Sequence, residues 1–180
     1  DMSVFDVLSY PKLYHNLKAA IKEVCTEVRN PNIFYDDCSI PGEEMLKIVE
    51  NKDFARLPGN MPRTAQEAFE TLLHTRDGQL CDIMIDKAAL EAIRDAGCRS
   101  GEPIIDDYAD TTVAIADIKI AVRSQKTGKS ADFMHSAMAE CRGVSVEQLI
   151  RAALSGMDEI AQYLDCLLYT SDAADEARSV

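Results

Sequence analysis

No stretch of this sequence approaches the roughly 18 consecutive apolar residues of a transmembrane helix, and no charged start followed by an apolar core marks a secretory signal. A soluble, cytosolic chain is the expectation. The six cysteines, Cys25, Cys38, Cys81, Cys98, Cys141 and Cys166, include no CxxC pair, and no histidine stands at metal-finger spacing from them. Buried reduced thiols are expected, not a zinc site. Basic residues are scarce: 19 Lys and Arg against 31 Asp and Glu leave a net charge of −12, which repels a phosphate backbone and disfavours nucleic-acid binding. With only eight glycines and few β-branched runs, helix signals dominate.

What is present is enough apolar material, 47% of 180 residues, to bury a core. Leu13, Leu17, Ile21, Val24 and Val28 recur at helical spacing and predict a helix that stops near Asn30 and Pro31. In SIPGEEMLKIVENKDF, Pro41 suits a first helical position, and Glu43 and Glu44 complement the positive end of the helix dipole. Thr64 with Glu67 fits a capping box ahead of Ala68, Phe69, Leu72 and Leu73, after which Arg76, Asp77 and Gly78 turn the chain. A further helix from Gln79 to Ala96 carries Leu80, Ile83, Met84, Ala88 and Ile93, with Gly97 placed as its stop. Between Asp106 and Ser124, the spacing of Tyr108, Thr112, Ile115, Ile118 and Val122 predicts a helix over the strand that TTVAI alone suggests. Gly128 and Ser130 mark a turn into a helix with Phe133, Met134, Ala137 and Met138. Ser145 with Gln148 caps another with Leu149, Ile150, Ala153 and Leu154.

Two blocks recur in the same order. HNLKAAIK matches ADIKIAVR: Asn16 with Asp117, Leu17 with Ile118, Lys18 with Lys119, Ile21 with Val122 and Lys22 with Arg123, 101 residues apart. IPGEEMLK matches VSVEQLIR: Glu43 with Glu147, Met45 with Leu149, Leu46 with Ile150 and Lys47 with Arg151, 104 apart. A long helix, a connector and a short capped helix thus form a unit used twice. In both copies the Leu or Ile belongs to the buried stripe, while the cations pack their stems at its rim and leave the charge in water.

Chemistry-bearing patterns are weak by comparison. Lys18 or Lys119 as a Schiff-base or phosphate-binding lysine lacks a preceding glycine-rich loop. The GKS of Thr127 to Ser130 ends like a phosphate-binding loop, but the glycine such a loop needs five residues before Gly128 is Arg123, so a turn and helix start is expected. The adjacent acids Asp36 with Asp37 and Asp106 with Asp107 point in different directions and are expected as caps or solvated surface. His15, His74 and His135 stand alone. No catalytic, cofactor-binding or metal-ligating residue is assigned, and no cofactor is expected. A small helical enzyme using His15 and Lys18 is the weakest alternative.

Taken in order, LYHNLK, SIPGEEMLKIVENKDFARLP, DGQLCDIMIDKAALEAI, ADIKIAVRSQKTGKSADFM and GVSVEQLI resemble the C subunit of the V-type and A-type rotary ATPases, the relative of the eukaryotic d subunit. The resemblance covers nearly all of Leu13 to Leu164. It implies an all-α fold of related helical modules in a funnel-shaped rotor adaptor. It also implies a non-catalytic place in the central stalk, between the central shaft subunits and the membrane proteolipid ring, and hence a cytoplasmic position peripheral to the membrane. A free-standing helical-repeat scaffold for another protein partner is the alternative. The modules are expected at 1–105 and, truncated, at 106–165. The remainder, 166–180, resembles from Cys166 to Glu176 one reading frame of a transposon-type sequencing-library adapter and is expected to be non-native. On that expectation the chain is a middle fragment lacking a module at one or both ends.

Overall fold

In the computed structural model the backbone is described over residues 3–30 and 32–178, and the side chains over 5–30 and 32–167. Among the described residues there are eight α-helices, seven at the helix signals and α8 beyond them: α1 (Ser3–Thr26), α2 (Gly42–Glu50), α3 (Met61–Thr75), α4 (Gly78–Arg99), α5 (Pro103–Thr127), α6 (Ala131–Ala137), α7 (Val146–Ser155) and α8 (Met157–Arg178). A 3-10 turn at Phe54–Arg56 joins α2 towards α3, and there is no strand among the described residues. The all-α expectation holds, including over TTVAI. The tail expected to be non-native falls mostly on residues whose side chains lie outside the described set.

The chain divides into two compact units, Asp1–Ala109 and Asp110–Val180. In the first, α1 packs on α4, α2 and α3, and α3 packs on α4. Leu13, Leu17 and Ile21 of α1 are buried with Met45, Ile48 and Val49 of α2, Met61, Ala65, Ala68, Phe69 and Leu72 of α3, and Cys81 and Ile85 of α4. Each such fully buried aliphatic side chain contributes about 1.5–3 kcal/mol. In the second unit, Ala121 of α5, Met134 of α6, Leu149, Ile150 and Ala153 of α7, and Ile160 of α8 form a separate core.

Several local expectations are corrected. Helix α1 begins at Ser3, running through Pro11 because its first turns bury Val7 against Ile93, Ala96 and Ala109. It stops at Thr26, where Glu27 takes a left-handed φ of 58°, so Val28 leaves the stripe and is 66% exposed. Pro31 lies outside the described residues. Thr64 does not cap α3: the helix starts at Met61 with Pro62 in its first turn, and the Thr64 hydroxyl donates to the Asn60 carbonyl. Gly97 does not stop α4, which continues to Arg99; a Cβ there would lie 2.4 Å from the Ala109 Cβ, so glycine permits close helix approach. Ser145 caps α7 by accepting from Gln148 N, but its own N–H donates to the Tyr163 hydroxyl, 2.8 Å away, so the box is only half formed.

The largest correction concerns α5. Tyr108 and Ile115, expected on its buried stripe, are 51% and 46% exposed. The buried line is instead Ala109, Val113, Asp117, Ala121 and Ser124. Burying carboxylates is costly unless they are hydrogen-bonded, and the bonds that make this register possible define the site below.

Candidate functional site

A polar side chain in the apolar seam of each long helix holds the connector that follows it. In unit 1 this is Asn16, fully buried on α1. Its Oδ1 accepts from the Tyr35 backbone N–H at 2.8 Å. Its Nδ2 donates to the Tyr35 carbonyl at 2.8 Å, to the Cys38 Sγ at 3.2 Å and to the Ile40 carbonyl at 3.3 Å. A primary amide offers an acceptor oxygen and two N–H donors on one short side chain, so one residue closes the loop from both sides.

In unit 2 the equivalent residue is Asp117, also fully buried, whose Oδ1 accepts from the Ala139 N–H at 3.2 Å. Tyr35 and Ala139 are 104 residues apart, the offset already visible between α2 and α7. The repeat therefore extends backward from the short helix into the connector. A second carboxylate, Asp110, accepts from the Arg142 and Gly143 N–H groups at 2.8 and 2.9 Å, with the Arg142 Nε at 3.4 Å. The sequence alone pairs Asn16 with Asp117 but misses their targets and misses Asp110. The available signal is a polar residue recurring at the centre of an apolar stripe.

The turns repeat as well. Glu27 and Gly128, 101 apart, both take left-handed φ values after the long helix, 58° and 66°. Lys52 and Gly156, 104 apart, also follow the short helix with positive φ, but at 55° and 153° their conformations differ. The two offsets differ by three residues, and in unit 2 part of the connector is wound into the helix α6 where unit 1 runs irregularly.

The residues singled out for chemistry are dispersed. The His15 Nε2 lies 2.8 Å from the Ile33 carbonyl, and its ring meets Tyr35 edge-on. Lys18 instead turns to Asp86 of α4 at 2.6 Å, and Lys22 pairs with Asp82 at 2.7 Å. His15 and Lys18 thus engage different elements. His74 Nδ1 contacts the Glu70 carbonyl within its own helix, and His135 lies 3.6 Å from Glu147. In the GKS segment Gly128 turns the chain, Lys129 lies over the Phe133 ring, and Ser130 caps α6 by accepting from Phe133 N.

One acid of each adjacent pair is an ion-pair member, on the exposed surface in the case of Asp37. Asp37 pairs with Lys12, which holds the Asp37 carboxyl below its ordinary range, and Asp106 pairs with Arg94 at 2.7 Å. Burial pushes the Cys81 thiol up to about 11, with Asp82 adding to the effect, and burial likewise raises Cys25, Cys38 and Cys141. Thiols so raised are poor nucleophiles. Two small cavities flank α1: about 230 Å³ beside Glu23, Val24, Glu27, Arg29, Leu46 and Glu50, and about 60 Å³ between Tyr10, Tyr14, Asn60 and Arg99. Neither gathers an acid, base and nucleophile. Among the described residues no His, Cys, Asp and Glu cluster has the geometry to hold a metal ion, and no helix is long and apolar enough to cross a membrane.

The arrangement is thus suited to fixing helices and connectors in place, with its polar groups spent on backbone. A comparison with curated proteins and another with solved structures each return no match. The model of the ATP synthase (C/AC39) subunit family matches residues 1–179. Together with the ordered blocks and the twice-built helical unit, this match places the chain: it belongs to the ATP synthase (C/AC39) subunit family of the rotary ATPases.

Proposed function

We propose that the chain serves as a non-catalytic central-stalk subunit, joining the central shaft to the membrane proteolipid ring and passing torque between them during ATP-coupled proton or sodium transport. Family membership supports the complex. The observation that carries the mechanical role is the clamp built twice, Asn16 on Tyr35 and Asp117 on Ala139. A torque-bearing adaptor must not shear between its helices and their connectors. Close-packed interiors resist compression, but loops do not, so anchoring each connector through a buried hydrogen bond is the feature such a load requires. Contacts to shaft and ring would each need roughly the 1,200–2,000 Å² of a stable interface. The chain's acidic surface suits steering toward basic partner ends.

The test uses the full-length gene product in its own complex. It is expected to co-purify with shaft and ring subunits, and a complex assembled without it is expected to hydrolyse ATP without pumping ions. Undiminished pumping in its absence would refute the mechanical role. Purification apart from every ATPase subunit would favour the free-standing scaffold.

A further inference from the structure

Unit 1 holds a small polar cavity that the clamp does not use. It measures about 60 Å³ and lies between the middle of α1, the loop ahead of α3 and the last turns of α4. Its floor is Tyr14. That side chain is 3% exposed, yet its hydroxyl makes no hydrogen bond among the described residues and opens on the cavity. A buried hydroxyl left unbonded costs free energy, and a phenylalanine would fill the same place without that cost. The Tyr10 ring meets Tyr14 edge-on at 6.0 Å and walls one side. Asn60, at the head of α3, lines the cavity and does not cap the helix with its side chain.

The charged residues lining the cavity are Asp95 and Arg99, one turn apart on α4. Opposite charges at that spacing ordinarily pair. These two form no ion pair, with each other or with any other described residue. The Arg99 guanidinium lies against the Tyr10 hydroxyl, whereas Glu91 and Asp95 lie near Tyr14. The cavity therefore has a positive end and a negative end held apart, with an unspent hydroxyl on its floor.

We propose that this cavity binds a small zwitterion, an α-amino acid of glycine's size, its carboxylate on Arg99 and its ammonium on Asp95. An anion alone would meet the Asp95 carboxylate, and a cation alone would meet the Arg99 guanidinium. A dipolar ligand satisfies both in one orientation. The volume, that of roughly two waters at ~30 Å³ each, leaves no space for a long side chain on the ligand. Tyr14, whose hydroxyl can donate or accept, gains from the ligand the partner that the protein does not supply. The inference does not rest on the stalk role.

The probe is glycine, titrated into the intact 180-residue chain and followed by ligand-observed NMR. Saturable binding is expected. Acetate and methylammonium, each carrying one end of glycine, are expected to bind about tenfold more weakly or worse. Tyr14→Phe is expected to weaken glycine binding about threefold to tenfold, the worth of one hydrogen bond, and to leave the urea midpoint unchanged. Arg99→Gln is expected to erase the advantage of glycine over methylammonium, and Asp95→Asn its advantage over acetate. Both of these residues are exposed, and circular dichroism confirms that their variants stay folded. Absence of saturable binding would mean that the cavity holds water alone and would overturn the proposal. So would acetate or methylammonium binding as tightly as glycine, or glycine binding untouched by both charge variants. A lowered urea midpoint in Tyr14→Phe would show the hydroxyl already bonded within the chain, with the same consequence.

Discussion

Units 1 and 2 place a polar side chain at the same point of the same seam and give it different chemistry. Asn16 donates and accepts, contacting two carbonyls, a thiol and an N–H. Asp117 accepts from an N–H, and Asp110 helps it with two more. The connectors explain the difference. In unit 1 the irregular chain from Tyr35 to Ile40 presents carbonyls to the long helix. In unit 2 the helix α6 consumes part of the connector, so what faces α5 is a run of N–H groups at Ala139, Arg142 and Gly143. The clamp is therefore tuned to the polarity of the backbone it holds, and a repeat can keep its architecture while exchanging amide for acid.

Swapping the two clamps probes this most strongly. Asn16→Asp is expected to cost about 3–5 kcal/mol, because it buries a carboxylate against carbonyls it can no longer donate to. Asp117→Asn keeps the carbonyl oxygen for Ala139 N and is expected to cost only about 1–2 kcal/mol. Urea denaturation of both variants measures the asymmetry. Equal losses would mean that position, not chemistry, matters.

Next in size is an exchange at the start of the short helix. Gly42 in unit 1 corresponds to Val146 in unit 2, and both are buried. A Cβ on Gly42 would sit 2.2 Å from the Phe34 Cβ, closer than any real contact. Gly42→Val is thus expected to destabilise by about 1–3 kcal/mol, the usual cost of overpacking. Restoring space with Phe34→Ala in the same chain is expected to recover part of that loss beyond additivity. If the double variant is simply the sum of the single ones, the two side chains do not compete.

These cases also show how far the sequence can be read. The all-α class, the repeat and seven of the eight helices among the described residues are legible because they rest on spacing, which a single chain displays; α8 is the helix that spacing does not mark. The register of α5 is not. Asp110 and Asp117 look like solvent-facing acids, and only the positions of the Ala139, Arg142 and Gly143 N–H groups make their burial tolerable. Gly97 misleads for a related reason: a glycine near a helix end suits both a stop and a close approach, and what decides is Ala109, a neighbour brought in by the fold. The targets of Asn16 lie in the irregular connector, where no periodicity marks which backbone groups turn inward.

The turn after the long helix offers a subtler contrast, since unit 1 uses Glu27 where unit 2 uses Gly128 at nearly the same φ. A side chain in left-handed backbone costs about 1 kcal/mol. Glu27→Gly is therefore expected to raise the urea midpoint and Gly128→Glu to lower it by a similar amount. The Thr26 and Thr127 hydroxyls, which donate to Lys22 and Arg123 carbonyls, are unaffected by either change. Shifts of the same sign would show that side-chain contacts outweigh backbone strain at these turns.

The smallest effect separates the two rows of cations. Lys18 bridges to Asp86 with its side chain 23% exposed, while Lys119, its repeat mate, stands exposed. Surface ion pairs contribute about 0.2–1 kcal/mol, so Lys18→Met is expected to lower stability by that order, and Lys119→Met to leave it nearly unchanged. Salt tells a lost ion pair from lost packing. At about 1 M the screening length falls to about 3 Å, so the Lys18→Met penalty should shrink if the Asp86 charge is its cause. It should persist if what matters is the lysine stem packed between α1 and α4, and a salt-independent penalty would move the contrast between the two units from electrostatics to packing.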